Sequence, residues 1–141
     1  MPVDRPARTS TIVFSRAQAC VFAGVTRADL ARWEQAADVS LGARRGGYLS
    51  MPDLLGLCVL RELDARLGPR FGDYALGVSQ LVAALETAEE VERLDSHVAL
   101  VGADFARLCE LRSEHVSCAG DAFISVPLHP LLAELRDRVF S

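Results

Sequence analysis

Two pairs of arginines are the residues of this chain best suited to bind an anionic partner. Arg27 and Arg32 lie five positions apart, and Arg44 and Arg45 directly precede a Gly-Gly step and Tyr48. Guanidinium groups bind phosphate oxygens and the edge of guanine through paired hydrogen bonds. A tyrosine hydroxyl can add a hydrogen bond to phosphate. These residue types indicate binding to a polyanion rather than catalysis.

Thiols and an imidazole form a second candidate site nearer the C-terminus. Cys109, His115 and Cys118 lie close together in the sequence, and thiolate with imidazole suits a soft or borderline metal ion. Because their spacing is not a CxxC motif, simple burial is the preferred interpretation, and we predict no metal and no cofactor. Cys20 and Cys58 fall on apolar helical faces, where we expect core residues.

Enzyme and membrane signals are absent from the sequence. It contains no nucleophile elbow, phosphate-binding glycine loop or paired carboxylates, so we expect no enzyme activity. The sequence contains no run of about 18 apolar residues, so it predicts no membrane span. Residues 1–10 lack the apolar region of a secretory signal. Four cysteines without framework spacing suit a reducing compartment, so we expect a cytoplasmic protein.

Capping signals predict the helices that carry the first arginine pair. Ser15 with Gln18 three positions later is typical of a capping box that starts a helix. Gly24 suits the left-handed position after that helix. Thr26 with Asp29 then predicts a second start after a very short turn.

The second predicted helix spans about residues 27–36 and has two distinct faces. Leu30 and Trp33 are expected on its inner side. The outward face is then made of Arg27, Ala28, Ala31 and Arg32.

The second arginine pair lies in a loop, residues 41–49, between two predicted helices. Gly46–Gly47 predicts a two-residue hairpin turn. Ser50 with Asp53 predicts the start of a third helix over residues 51–67. Its apolar stripe is Leu57, Leu60, Leu63 and Leu67, and Gly68–Pro69 should end it.

These segments together resemble the winged helix-turn-helix of the MerR-type regulators over about the first 70 residues. The resemblance rests on the following strings: Phe14-Ser15, Ala23-Gly24-Val25-Thr26, Leu30-Ala31-Arg32-Trp33-Glu34, Arg44-Arg45-Gly46-Gly47-Tyr48-Leu49-Ser50 and Asp53-Leu54. In that family the second helix enters the major groove of DNA and the wing contacts the flanking backbone, usually in a dimer on a two-fold operator. The resemblance implies DNA contacts from the second helix (Thr26, Arg27, Ala28, Arg32) and from the wing (Arg44, Arg45, Tyr48).

Charge supports a division of the chain into an arm (residues 1–10), a winged domain (11–70) and an acidic region (71–141). Residues 1–70 contain 10 arginines and 7 acidic residues, whereas residues 71–141 contain 5 arginines and 12 acidic residues. An acidic protein can still bind DNA when its basic charge is segregated.

The acidic region is predicted to be a small α+β unit that dimerises, binds an effector or binds a partner protein. Its expected elements are a helix over 74–94, strands at 97–102, 115–118 and 122–126, a turn at 119–121, an ambiguous segment at 106–111, an extended piece between Pro127 and Pro130, and a helix over 131–140. The predicted fold class is therefore mainly α with small β elements: an N-terminal winged helix-turn-helix, a helix and this C-terminal unit.

These observations predict a sequence-specific DNA-binding regulator of MerR-like type, such as a repressor, acting as a homodimer on double-stranded DNA. A different class stays open: an antitoxin or a phage or plasmid accessory protein whose C-terminal half binds a protein partner. A winged fold that has lost DNA binding and serves as a protein scaffold is a third interpretation.

Overall fold

The computed structural model describes residues 12–88, 91–110 and 122–140, and helical segments account for 66% of that part of the chain. Its elements are β1 (Val13–Phe14), α1 (Arg16–Ala23), α2 (Arg27–Ala37), β2 (Leu49–Ser50), α3 (Met51–Leu67), α4 (Ala75–Glu86), β3 (His97–Val101), β4 (Ala106–Glu110), β5 (Ile124–Pro127) and α5 (Leu128–Phe140). Short 3₁₀ segments occupy Ala43–Arg45, Gly68–Tyr74 and Val91–Ser96. The prediction of a mainly helical protein with small β elements is confirmed.

Capping boxes start α1, α2 and α3 where the sequence predicts them. In each, a hydroxyl accepts from the amide three residues later, and that residue's side chain accepts from the cap amide: Ser15 with Gln18, Thr26 with Asp29, and Ser50 with Asp53. The boxes satisfy N–H groups that a first helical turn leaves without partners. Gly24 ends α1 at φ 71°, in the left-handed conformation that favours glycine.

Helix α3 is the centre of the fold. Residues 51–60 are all buried, because α1, α4 and α5 pack around this helix. The predicted stripe of four leucines is buried, and the helix ends before Gly68–Pro69 as predicted. Gly56 allows α4 to come close, since a Cβ there would lie 3.2 Å from Leu85 Cδ1.

The C-terminal sheet is antiparallel and has the strand order β4-β3-β5. Strand β3 is central, so Val98 lies opposite both Cys109 and Pro127. Helix α4 packs closely enough against this sheet that a side chain at Gly77 would overlap the carbonyl group of Gly102. The sheet is therefore held against the helices rather than set apart from them.

One hydrophobic core joins the two predicted halves in the part of the chain that the structure describes. It extends from Phe14 to Leu135 without a break between the regions 11–70 and 71–141. Helix α5 contacts both α1 and α3. Within these ranges, no helix has the length and apolar character needed to cross a bilayer.

The predicted helix over 74–94 is wrong at its C-terminal end, because α4 ends at Glu86. The Thr87 hydroxyl donates to the carbonyl oxygen of Ala84, at 3.0 Å, as the helix terminates. The later apolar residues Val91 and Leu94 are buried from a 3₁₀ segment. Since residues three apart share a face in a 3₁₀ helix as well, their spacing does not distinguish the two structures.

One further prediction for the C-terminal region is wrong, and another is not tested. The piece between Pro127 and Pro130 is not extended, because α5 begins at Leu128 and places Pro130 in its first turn. Proline is tolerated there, since the N–H it lacks would have no helical partner. The segment 122–126 was expected beside 115–118. Residues 115–118 and the predicted turn lie outside the described residues, so this hairpin stays a prediction. Among the described strands, β5 pairs with β3.

Candidate functional site

Helix α2 presents one buried and one exposed face, as the sequence predicts. Leu30, Trp33 and Ala37 are buried, and the Trp33 ring stacks on Phe71 with 6.3 Å between ring centroids. The opposite face is exposed and carries Arg27, Ala28, Ala31, Arg32 and Gln35. Burial of the apolar face thus leaves two cations and two small residues directed toward solvent on one helix.

Thr26 is exposed at the start of α2, where it caps the helix. Its hydroxyl accepts from the Asp29 amide at 2.9 Å, and the Asp29 carboxylate accepts from the Thr26 amide at 3.4 Å. Burial alone raises the pKa of Asp29, but hydrogen bonds from Arg32 and Thr26 outweigh it and lower that pKa below its usual value. Asp29 is therefore charged at neutral pH and favours the positive end of the α2 dipole.

The two arginines of α2 differ in their partners. Arg32 forms a paired interaction with Asp64 of α3, at 3.1 and 2.9 Å, and also contacts Asp29 at 3.2 Å. Hydrogen bonds to both carboxylates raise the pKa of Arg32 further above its usual range. Arg27 is exposed and makes no hydrogen bond or ion pair with the described residues. Arg27 is thus the freer cation, although Arg32 is also exposed.

An ion pair that the sequence does not predict holds the C-terminal part of α2 against α1. Arg16 of α1 donates to both carboxylate oxygens of Glu34, at 2.6 and 3.2 Å, and this interaction raises the pKa of Arg16. The same carboxylate accepts from the Leu41 amide at 2.8 Å. The 18-residue separation of Arg16 and Glu34 leaves no local signal, so only the packing of α1 on α2 brings them together.

The loop over residues 42–48 is a compact turn and not the predicted hairpin. The Gly42 carbonyl accepts from the amides of Arg45 and Gly47, at 2.9 and 2.8 Å. The predicted turn at Gly46–Gly47 does form, with both residues at positive φ and the Tyr48 amide donating to the Arg45 carbonyl at 3.2 Å. However, the preceding residues are 3₁₀ and β2 pairs with β1, so the turn joins no two-stranded ladder.

Arg45 lies beside the buried carboxylate of Asp53. Its Nη1 lies 3.4 Å from Oδ2 of Asp53, which is 2% exposed and also accepts from the Ser50 amide at 2.9 Å. The other carboxylate oxygen, Oδ1, is buried and accepts no hydrogen bond from the part of the chain that the structure describes. A charge of this kind is costly unless a cation lies nearby, so Arg45 has a structural role that the sequence did not reveal.

Arg44 and Tyr48 are the exposed members of the loop, and Tyr48 is 53% exposed. Arg44 lines an open groove of about 320 Å³ between the loop and α4, opposite Glu86. Burial and the nearby Asp53 raise the pKa of Glu86, whereas Arg44 and Arg45 act to lower it. The paired arginines of the two regions have different partners, since Arg45 lies beside Asp53 and Arg32 beside Asp64.

The cysteine predictions are resolved in part. Cys20 and Cys58 are buried core residues, as expected, and burial raises the pKa of the Cys58 thiol to about 12. Cys109 is half-buried on β4, whereas His115 and Cys118 lie outside the described residues. Among residues 12–88, 91–110 and 122–140, no group of three His, Cys, Asp or Glu side chains is arranged to hold a metal ion.

Comparison of this chain with protein-family models, with curated proteins and with solved structures gave no match. The functional interpretation therefore rests on the residues and geometry described above.

Proposed function

We propose that this chain is a sequence-specific DNA-binding transcriptional regulator of MerR-like type, with α2 as the helix that enters the major groove. The observation that carries the proposal is the exposed face of α2. A capped helix of 11 residues follows a short turn, buries its apolar side and presents Arg27, Ala28 and Arg32 outward. A major groove about 12 Å wide accepts one such helix.

The exposed residues of α2 have different proposed roles. Arg27, which pairs with no carboxylate of the described residues, is the principal residue for contact with a base edge or a phosphate. Ala28 allows close approach of the helix, and Thr26 lies at the helix start, where backbone N–H groups favour phosphate. Arg32 contributes less, because binding DNA requires it to leave or share Asp64 and Asp29.

The loop residues contact the phosphate backbone unequally in this proposal. Arg44 and Tyr48 are exposed and can reach phosphate, whereas Arg45 faces the buried Asp53. Arg45 therefore supports the loop's conformation and contributes to DNA binding mainly through that support. A single copy offers few contacts, so useful specificity requires two copies on a repeated site.

A binding measurement with matched charge variants tests the proposal. Wild-type protein, Arg27→Ala and Arg107→Ala are titrated into a labelled duplex from the region upstream of the coding sequence and into an unrelated duplex, across a salt series. Arg107 is an exposed arginine on β4, so Arg107→Ala changes the net charge by the same amount as Arg27→Ala. We expect tighter binding to the upstream duplex, steep weakening with salt, and a loss of about 1–3 kcal/mol for Arg27→Ala alone.

Two results would count against the proposal. Equal weakening by Arg27→Ala and Arg107→Ala would mean that α2 is not the DNA-contacting element. No binding to either duplex at low salt, together with a stoichiometric protein that co-purifies, would favour the antitoxin or accessory-protein interpretation.

A further inference from the structure

Two arginines from different helices converge on the carbonyl end of α1. Arg61 of α3 donates from Nη1 to the Ala23 carbonyl at 2.6 Å, and Arg138 of α5 donates from Nη1 to the Phe22 carbonyl at 3.0 Å. The last carbonyls of a helix lack intrahelical partners and carry the negative end of its dipole. The two guanidinium groups therefore bind the last residues of α1, directly before the turn that leads to α2.

Glu134 of α5 connects the two arginines. Its carboxylate lies 2.8 Å from Arg138 Nη2 and 3.4 Å from Arg61 Nη2. The two guanidinium groups also pack closely against Gly24 in the turn. A Cβ at Gly24 would lie 2.8 Å from Arg138 Nη1 and 3.1 Å from Arg61 Nη1. Residues far apart in the sequence thus meet at the end of α1, directly before the turn that leads to α2.

We infer that Glu134 and Arg138 are positioning residues through which the C-terminal helix fixes the turn between α1 and α2. The turn sets the direction in which α2 leaves α1, so a displacement of α5 changes the orientation of α2. The consequence for DNA binding rests on the function proposed above, whereas the mechanical link does not. This link gives the acidic C-terminal region a role in a protein whose basic residues lie mostly elsewhere.

Hydrogen exchange at the turn tests the mechanical link directly. The Gly24 amide donates to the Val21 carbonyl at 3.2 Å and the Val25 amide to the Cys20 carbonyl at 3.0 Å, so their exchange rates report how firmly the turn is held. We expect Arg138→Gln to accelerate exchange at both amides about tenfold. The control is Arg136→Gln, which removes the same charge from the same helix where the nearest carboxylate is Asp95, at 3.8 Å.

DNA binding by the full chain separates positioning from direct contact. Arg138→Gln should weaken binding about 3- to 10-fold and leave the salt dependence unchanged, whereas a lost phosphate contact would reduce the salt slope by about 1. Glu134→Gln gives opposite expectations: general electrostatics predicts tighter binding after a negative charge is removed, and positioning predicts weaker binding. Asp137→Asn, on the same helix, is its matched control.

Exchange rates in Arg138→Gln and Glu134→Gln that equal those of their controls would overturn the inference, even if DNA binding is intact. If the wild-type protein binds no DNA, the proposed function fails and the exchange comparison still decides the mechanical link. Should Arg138→Gln not fold, Glu134→Gln keeps both guanidinium groups and provides the same comparison.

Discussion

Helix α2 and the loop over residues 42–48 each carry two arginines, and in both regions one arginine is paired while the other is exposed and unengaged by the described residues. The paired arginine of α2, Arg32, faces partly exposed carboxylates: the Asp64 and Asp29 side chains are 24% and 38% exposed. The paired arginine of the loop, Arg45, faces Asp53, whose side chain is 1% exposed. The sequence alone does not distinguish Arg32 from Arg45. In the structure, however, their carboxylate partners differ in exposure to solvent.

This difference determines how readily each arginine can leave its partner. Exposed ion pairs contribute about 0–1 kcal/mol, because water stabilises both ions after separation. Removing one member of a buried pair costs about 3–5 kcal/mol, because the remaining charge stays unsolvated. Arg32 can therefore exchange its carboxylates for another anion, such as a phosphate of the proposed DNA partner, whereas Arg45 is retained by the fold.

The largest expected effect is on folding stability when Arg45 is removed. Arg45→Ala should lower the free energy of unfolding by about 2–3 kcal/mol, less than for a fully enclosed pair because Arg45 is itself 34% exposed. Arg44→Ala, one residue away and without an ion pair among the described residues, should change it by no more than about 0.5 kcal/mol. Urea denaturation of the two variants measures both values. Equal destabilisation would remove the distinction between the loop arginines.

The next effect concerns DNA affinity and the two arginines of α2. Arg27→Ala should weaken binding by about 2 kcal/mol and Arg32→Ala by about 1 kcal/mol, because Arg32 gives up its carboxylate partners when it binds. Fluorescence anisotropy with a labelled duplex measures the ratio of the two losses. A larger loss for Arg32→Ala would show that its ion pairs hold it in the binding orientation.

A smaller effect is expected when the partner of Arg32 is removed. Asp64→Asn should tighten DNA binding about threefold, since Arg32 is then held by Asp29 alone and a negative charge near α2 is lost. Asp73→Asn, an exposed acidic residue in the segment after α3, is the control for net charge. Identical affinities for these two variants would exclude competition between Asp64 and DNA for Arg32.

The smallest effect concerns Glu86, beside the loop. Burial raises its pKa in the folded protein, so folding favours the protonated form and the charged form lowers stability at neutral pH. That penalty is lost as pH falls through the raised pKa. Glu86→Gln should therefore be about 0.5 kcal/mol more stable than wild type at neutral pH, with the difference vanishing in acid. Denaturant titrations at several pH values measure this convergence, and a pH-independent difference would contradict it.

Local signals were sufficient to predict the start of each N-terminal helix. Each capping box joins a cap residue to the residue three positions later, so both partners can be read from a short stretch of sequence. The cap residues are Ser15, Thr26 and Ser50. The bounds of α3 and the burial of Trp33 also follow from local periodicity. These features correctly identified the exposed face of α2.

Features that depend on distant residues were not predictable in the same way. The Gly46–Gly47 turn forms as predicted, but β2 pairs with β1, which precedes α1 in the sequence, so the pairing has no local signal. Asp53, the partner of Arg45, and the Phe22 carbonyl that Arg138 binds likewise belong to other elements. Sequence position identified candidate cations, whereas tertiary packing decides which of them are free.

The measurement that tests the central claim most directly is a map of the protein surface that DNA contacts. Amide chemical shifts of the labelled full chain are followed by nuclear magnetic resonance during titration with the upstream duplex. We predict the largest changes over residues 26–35 in α2 and over 43–48 in the loop, with smaller changes at Arg45 than at Arg44. Changes confined to β3, β4, β5 and α5 would contradict the assignment of α2 as the DNA-binding helix.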